Sequence, residues 1–397
     1  MDGPDTAAPR LTTTELLSRL VSFDTTSRNS NLALIGFVRE YLDAHGVPYR
    51  VSTDATGEKA NIHAIIGPQQ AGGVALSGHV DTVPVDGQAW SADPFTLRRA
   101  DGRLHARGSA DMKGYVSACL AAVPDFKAAN LARPLHLFIS YDEEVGCQGA
   151  QRLIQDLDAS GLKPALCVVG EPTGMRPILA HKGKLNLRVR VRGLPGHSSE
   201  PGKGVNAIHA ASEAVAYVAA EARRLAREGP FEEGFEPPHT TIHVGTIQGG
   251  TILNIIPERC ELTMEWRTIP GDDAARHVER MRAFIAAAIE PAMHEVHPNT
   301  GFECEVLTTM PGLSLDPDHP LTAIVKQLTG SNTTGKVSYG KVSYGTEGGF
   351  YQNSGIPTIV CGPGHIAQAH QPDEWIAQDQ LDACDDFIRR LADRLLT

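Results

Sequence analysis

Four short apolar runs in this chain lead into metal-type donors, and that recurrence restricts the fold more than any other feature of the sequence. The run 74–78 stops at His79, 135–140 leads into Asp142-Glu143-Glu144, 165–170 leads to Glu171, and 357–361 opens a loop bearing His370. Such runs, bounded by small residues, read as strands buried on both faces, the kind that build parallel sheets. Residues 115–126 and 149–157 carry helical spacing between them, so strands alternate with helices. That order argues for an α/β fold, a mostly parallel sheet flanked by helices. Ligands in such sheets bind beyond the carboxyl ends of the strands. All four donor sets would therefore converge on one edge.

Asp81 lies two residues after His79, and in extended backbone such residues project to the same side. It can therefore take the N–H of the far ring nitrogen, the usual partner of a metal-binding histidine. Asp111 follows Arg107-Gly-Ser-Ala and precedes a helix. Alone it reads as an N-cap, and Glu143-Glu144 alone reads as a solvated acidic turn. Together, two imidazoles and several carboxylates at strand ends describe a hydrolytic site for divalent metal. Asp111, Glu144 and Glu171 supply three of the four negative charges that two such ions require, and His79 and His370 supply none. Glu143 is left free to shuttle a proton.

Near Ala180 the pattern changes. Residues 184–192 alternate cationic and apolar side chains, as a half-exposed strand does. A helix over 204–226, a Pro/Glu/Gly-rich loop over 228–238, strands over 241–248 and 258–267, a helix over 272–294 and a strand over 302–308 follow. The order β-α-β-β-α-β is the ferredoxin-like split arrangement. The expected organisation is a catalytic domain begun by 1–181, an inserted α+β domain at 182–310, and 311–397 returning to the first. One helix near 320–328 and one strand at 357–361 are expected in that last part. The segment Gly335-Lys-Val-Ser-Tyr is repeated at once as Gly340-Lys-Val-Ser-Tyr344. It is too short for a repeat architecture and reads as a local duplication that lengthens a loop.

The formal net charge of −11 argues against a nucleic-acid backbone or an anionic membrane as partner. Seven cysteines without a C-x-x-C pair suggest free thiols in a reducing compartment. No basic-then-apolar leader stands at residues 1–10 and no stretch approaches a membrane span, so a cytoplasmic location is expected.

The chain resembles the M20 family of di-zinc amidohydrolases over essentially its whole length. The resemblance rests on Phe23-Asp-Thr-Thr-Ser-Arg-Asn-Ser-Asn-Leu32, Ser77-Gly-His-Val-Asp-Thr-Val-Pro84 and Arg107-Gly-Ser-Ala-Asp-Met-Lys-Gly114. It continues through Asp142-Glu-Glu-Val-Gly146, Gly170-Glu-Pro-Thr173 and Gly362-Pro-Gly-His-Ile-Ala-Gln-Ala-His-Gln-Pro-Asp-Glu-Trp375. The last motif resembles the branch that deacetylates N2-acetyl-L-ornithine. The resemblance implies a zinc-peptidase-like catalytic domain and an inserted lid and dimerisation domain. It also implies two divalent ions per chain, zinc or cobalt. One ion would sit on His79, Asp111 and Glu171, the other on Asp111, Glu144 and His370. Glu143 matches the general base, Asp81 the partner of His79, and Asp111–Met112 the family's cis peptide. Glu171, where other branches carry Asp, fits acyl-group or carboxyl-terminal cleavage. Gly196-His-Ser-Ser199 matches the lid motif, which implies that His197 acts across a homodimer on the scissile carbonyl; alone, His197 reads as a surface residue. Asn254 and Arg267 occupy substrate-binding positions, Arg267 facing an α-carboxylate; a strand-end surface arginine is the alternative. Glu347, in Gly345-Thr-Glu-Gly-Gly349, is expected to face the substrate's side-chain ammonium. The implied substrate is a small N-acyl amino acid. The alternatives are another acyl-amide hydrolase of the family (a succinyl-diaminopimelate desuccinylase, an aminoacylase or a carboxypeptidase) and a non-catalytic dimeric homologue.

Overall fold

The computed structural model describes residues 10–330 and 340–396. The chain divides into two compact units, one formed by residues 1–180, 314–340 and 346–397, the other by 181–313 and 341–345. The first copy of the duplicated pentapeptide lies outside the described residues, and most of the second copy belongs to the second unit.

The first unit is built on four parallel strands in the order Leu135–Ser140, Val74–His79, Leu166–Pro172, Thr358–Gly362. Nearly every residue in them is buried, which is why each reads as an unbroken apolar run. Ala60–Ile66 and Tyr49–Thr53 extend the sheet antiparallel beside Leu135–Ser140. The helix Gly114–Ala121 lies close against the strand ends. A Cβ on Gly170 would fall 2.0 Å from the Tyr115 ring, and one on Gly78 would fall 2.9 Å from Met112. The small residues that close these strands are therefore required by the helix above them.

The expected helix over 115–126 is two, Gly114–Ala121 and Val123–Ala128, with Pro124 opening the second. The sequence pattern did not reveal Gln378–Leu396, a 19-residue helix that buries Cys384, Phe387, Ile388 and Leu391 in the main core. These positions follow helical spacing, but charged residues crowd between them.

The second unit is a four-stranded antiparallel sheet ordered Thr241–Gly249, Arg259–Thr268, Gly183–Arg192, Gly301–Met310. This is the split ferredoxin-like order. Leu185, Leu187, Val189 and Val191 face a core shared with the helix Ala207–Glu228. On the other face Arg188 and Arg190 pair with Glu261, Glu303 and Glu305. Asn206 caps the helix, accepting from the N–H groups of Ile208 and His209. The expected helix over 272–294 is interrupted: Ala274–Phe284 widens by one turn at Ile285–Ile289 before Glu290–Val296. Pro291 has no N–H to return to the preceding turn, which accounts for the break. No helix among the described residues is long and apolar enough to cross a membrane. All seven cysteines are free thiols, six of them buried.

One buried pair in the first unit sets an acid limit on the fold. His136 Nε2 donates to the carbonyl of Gly72 at 3.0 Å, so its Nδ1 accepts from His63 Nε2 at 2.9 Å. Burial pushes His63 down to about 3, helped by His136 and Arg50. Burial also pushes His136 down to about 4 against the Gly72 bond. An unfolded histidine titrates near 6.5. Between about pH 6.5 and 4 the unfolded chain therefore binds more protons at these positions, and their contribution to stability falls as pH falls. Thermal melts across that range should lose stability less steeply for a His63→Leu/His136→Leu variant than for the wild type; equal slopes would remove the pair from the acid response.

Candidate metal centre

The parallel strands place their carboxyl ends together, and the donors gather there. His79 closes Val74–His79, Glu171 is the penultimate residue of Leu166–Pro172, and Glu143 and Glu144 lie just past Leu135–Ser140. His370 stands in an irregular segment after Thr358–Gly362, with its backbone in the left-handed region at φ +63°. Asp111 enters from an irregular turn, Ser109–Lys113, in which it and Met112 leave helical geometry and are joined by a cis peptide. The helix begins at Gly114 with Lys113 before it, so Asp111 is not its N-cap; the Asp111 N–H is bound by Glu374 Oε1 at 3.1 Å.

Asp111 holds the cluster together. One carboxylate oxygen lies 3.1 Å from His79 Nε2, and the other lies 3.3 Å from His370 Nε2. His370 Nε2 is also 3.0 Å from Glu144, and His79 Nε2 is 3.8 Å from Glu171. Donor atoms of His79, Glu143 and Glu171 lie within 4.8 Å of one another, as do those of His79, Asp111 and Glu144. His79, Asp111, Glu143 and Glu171 are all buried, and the Glu144 side chain is only 11% exposed.

Their electrostatics show what the cluster lacks. Burial drives Glu171 well above the usual carboxylate range, and the charges of Asp111 and Glu143 add to it. Burial pushes Glu143 up to about 8, with Glu144 and Asp111 adding and His79 opposing. Glu144 moves the same way through burial and Asp111. Burial works against ionised Asp111 too, but hydrogen bonds from His370 and His79 hold it below the usual range. The bonds to Asp111 and Glu144 raise His370 to about 10, and those to Asp111 and Asp81 raise His79 against the cost of burial. Four carboxylates and two imidazoles, converging with too little positive charge, make a donor set that fits two divalent cations. Asp111, with one oxygen toward each imidazole, stands where a shared ligand would.

A second layer fixes these donors. Asp81 lies 3.3 Å from His79 Nδ1, and it also accepts from the N–H of Glu143 at 3.0 Å, the N–H of Glu144 at 3.3 Å and Ser27 Oγ at 2.8 Å. One carboxylate thus orients an imidazole and the turn that carries two acids. Glu374 accepts from the N–H groups of Ala110 and Asp111 and pairs with buried Arg107 at 2.7 Å. Breaking a buried ion pair of this kind costs about 3–5 kcal/mol. Cys147 Sγ donates to Glu143 Oε1 at 3.4 Å. Glu374, Arg107 and Cys147 were not assigned from sequence. The first two lie inside quoted motifs, which was the available signal; nothing in the sequence singled out Cys147.

Glu347 is fully buried, and its carboxylate accepts from Ser77 Oγ at 2.5 Å and Ser140 Oγ at 2.7 Å. The next residues begin the helix Gly348–Asn353, and the two hydroxyls that meet the side chain come from separate strands. The remaining expected residues belong to the second unit. His197 is exposed, its Nδ1 accepting from the N–H of Ser199 at 3.2 Å, and the Asn254 carbonyl accepts from the N–H of Ser198 at 3.2 Å. The fork of Arg267 is engaged by Glu265 two residues away, at 2.8 and 3.2 Å.

A parallel sheet whose strand ends carry two imidazoles and four acids defines a metal-dependent hydrolase site. The model of Peptidase family M20/M25/M40 matches residues 75–394, and the chain belongs to that family. Solved structures share the fold along nearly the full length. A tripeptidase from Staphylococcus aureus is 19% identical, with a TM-score of 0.71 and coverage of 97% of this chain and 98% of that one. An M20 family metallo-carboxypeptidase from Sulfolobus solfataricus is 17% identical, with a TM-score of 0.70 and coverage of 96% and 98%. A dinuclear metal-binding M20 peptidase from Bacillus subtilis is 16% identical, with a TM-score of 0.63 and coverage of 96% and 97%.

Removing the Asp81 carboxylate takes away one of the two partners of His79 Nδ1, the Asp81 carbonyl at 3.1 Å remaining, and frees two N–H groups. Asp81→Ala should weaken metal binding about 10- to 100-fold, read by competition against a chromogenic chelator; unchanged affinity would leave Asp81 with a purely structural part.

Proposed function

We propose that the chain removes the acetyl group of N2-acetyl-L-ornithine by hydrolysis, giving acetate and L-ornithine. The reaction class follows from membership of the M20 family. The substrate rests on the likeness of residues 362–375 to the deacetylase branch and on glutamate at position 171. The observation that carries the reading is the position of Glu143. It is buried among the donors of the cluster, in the same turn as Glu144, with its backbone held by Asp81.

In this reading His79, Asp111 and Glu171 hold one divalent ion, and Asp111, Glu144 and His370 hold the other. Bound there, zinc or cobalt ions supply Lewis-acid activation of water and of the amide carbonyl. Glu143 takes the proton of the attacking water as the new C–O bond forms. It returns that proton to the leaving nitrogen as the C–N bond breaks. Asp81 keeps the Nδ1 proton of His79 in place, leaving Nε2 as the donor atom. His197, from the second unit of a partner chain, stabilises the negative oxygen of the tetrahedral intermediate, and Asn254 and Arg267 bind the substrate, Arg267 after exchanging Glu265 for the α-carboxylate. The same reading makes the protein a cytoplasmic homodimer joined through residues 182–310.

Glu143→Ala should keep its full complement of metal while kcat drops by about 10²- to 10⁴-fold; near-normal turnover would refute the proton-transfer role. The substrate is tested by chelating the protein, restoring zinc or cobalt, and comparing N2-acetyl-L-ornithine with N-succinyl-diaminopimelate and N-acetyl-methionine. Metal-restored turnover concentrated on acetylornithine is expected. A preference for either other compound would keep the mechanism and replace the substrate.

A further inference from the structure

His370 is the most exposed of the donors, its side chain 49% accessible, and its backbone is left-handed. Its main chain is nevertheless held from a distant loop. Gln88 Nε2 donates to the carbonyl oxygen of His370 at 2.9 Å. The other end of the same carboxamide is fixed: Oε1 accepts from Arg107 Nη2 at 2.5 Å and from Trp90 Nε1 at 3.0 Å. Arg107 is in turn locked by Glu374 and lies over the Trp90 ring, 5.0 Å from its centre. Gln88 therefore joins a rigid buried ion pair to the most exposed of the donors. Ser91 binds the same segment beyond His370, its N–H and Oγ both donating to Asp373 at 3.1 and 2.7 Å.

We propose that Gln88 is a positioning residue for His370, and that its carboxamide sets how tightly the ion shared by Asp111, Glu144 and His370 is held. This rests on the two-ion reading above. An outer partner that orients a ligand is typically worth 10- to 100-fold in metal affinity, and here the orientation is imposed through the backbone.

Gln88→Glu isolates the bond. The carboxylate still accepts from Arg107 and Trp90 but cannot donate to the His370 carbonyl. Calorimetric titration of the metal-free full chain with zinc, checked by metal analysis after dialysis, reads both ions separately. The wild type should take up two. Gln88→Glu should bind one with unchanged affinity and the other at least about tenfold more weakly, with a melting temperature close to wild type when metal-free. Two ions at wild-type affinity in the variant would overturn the inference alone. Equal weakening of both ions would also overturn it, placing the effect on Asp111 through Arg107 and Glu374. Fewer than two ions in the wild type would overturn the two-ion reading and this inference with it. Should Gln88→Glu fail to fold, Gln88→Met removes the donor without an added charge, and Arg107→Lys, read beside it, reports what loss of the Arg107–Gln88 bond alone does to the two affinities.

Discussion

Four buried carboxylates facing two imidazoles are a charge arrangement that protein alone cannot satisfy. Asp111 keeps its charge because both imidazoles bond to it, while Glu143, Glu144 and Glu171 are pushed toward protonation. Without metal, protons on His79 and His370 occupy the place of cations. Metal uptake must displace those protons, which ties metal affinity, proton release and the integrity of the cluster to one another. The rest of the first unit is arranged to tolerate this concentration of acid. Gly78 and Gly170 let the helix after Asp111 approach the strand ends, and Asp81 and Glu374 take up the backbone N–H groups around the donors.

The supporting layer concentrates several tasks in single side chains. Asp81 serves an imidazole, two backbone N–H groups and a serine. Glu374 serves two backbone N–H groups and an arginine. Such residues couple donors that lie far apart in sequence, so a change at one is felt at several. That coupling suits a site whose donors come from four strand ends and a turn, none adjacent to another in the chain except Glu143 and Glu144.

The strands that carry donors were legible because burial on both faces leaves a continuous apolar run. Leu135–Ser140 was read to the residue, and Val74–His79, Leu166–Pro172 and Thr358–Gly362 to within a residue or two. Arg98–Ala100, Arg103–His105 and Trp375–Ala377 are three residues each, too short for any period to register. Tyr49–Thr53 has no fully buried residue and so carries no apolar signature. Donor types were legible from chemistry, but their support was not. Gln88 and His370, or Ser77 and Glu347, meet only through tertiary packing, and no local pattern announces such pairs. The sequence around Glu347 gave no sign of the two hydroxyls that meet it from separate strands.

The first unit is assembled from stretches on either side of the second, and this has a consequence for how the protein is made. A ribosome delivers His79, Asp111, Glu143, Glu144 and Glu171 early, and it delivers His370 and Glu374 only after the whole second unit has emerged. Until then the acidic half of the cluster exists without its second imidazole and without the carboxylate that binds the Asp111 backbone. The strand Thr358–Gly362 is also still missing from its place beside Leu166–Pro172. The cluster is complete only in the last part of translation, when the closing strand and the His370 loop arrive together.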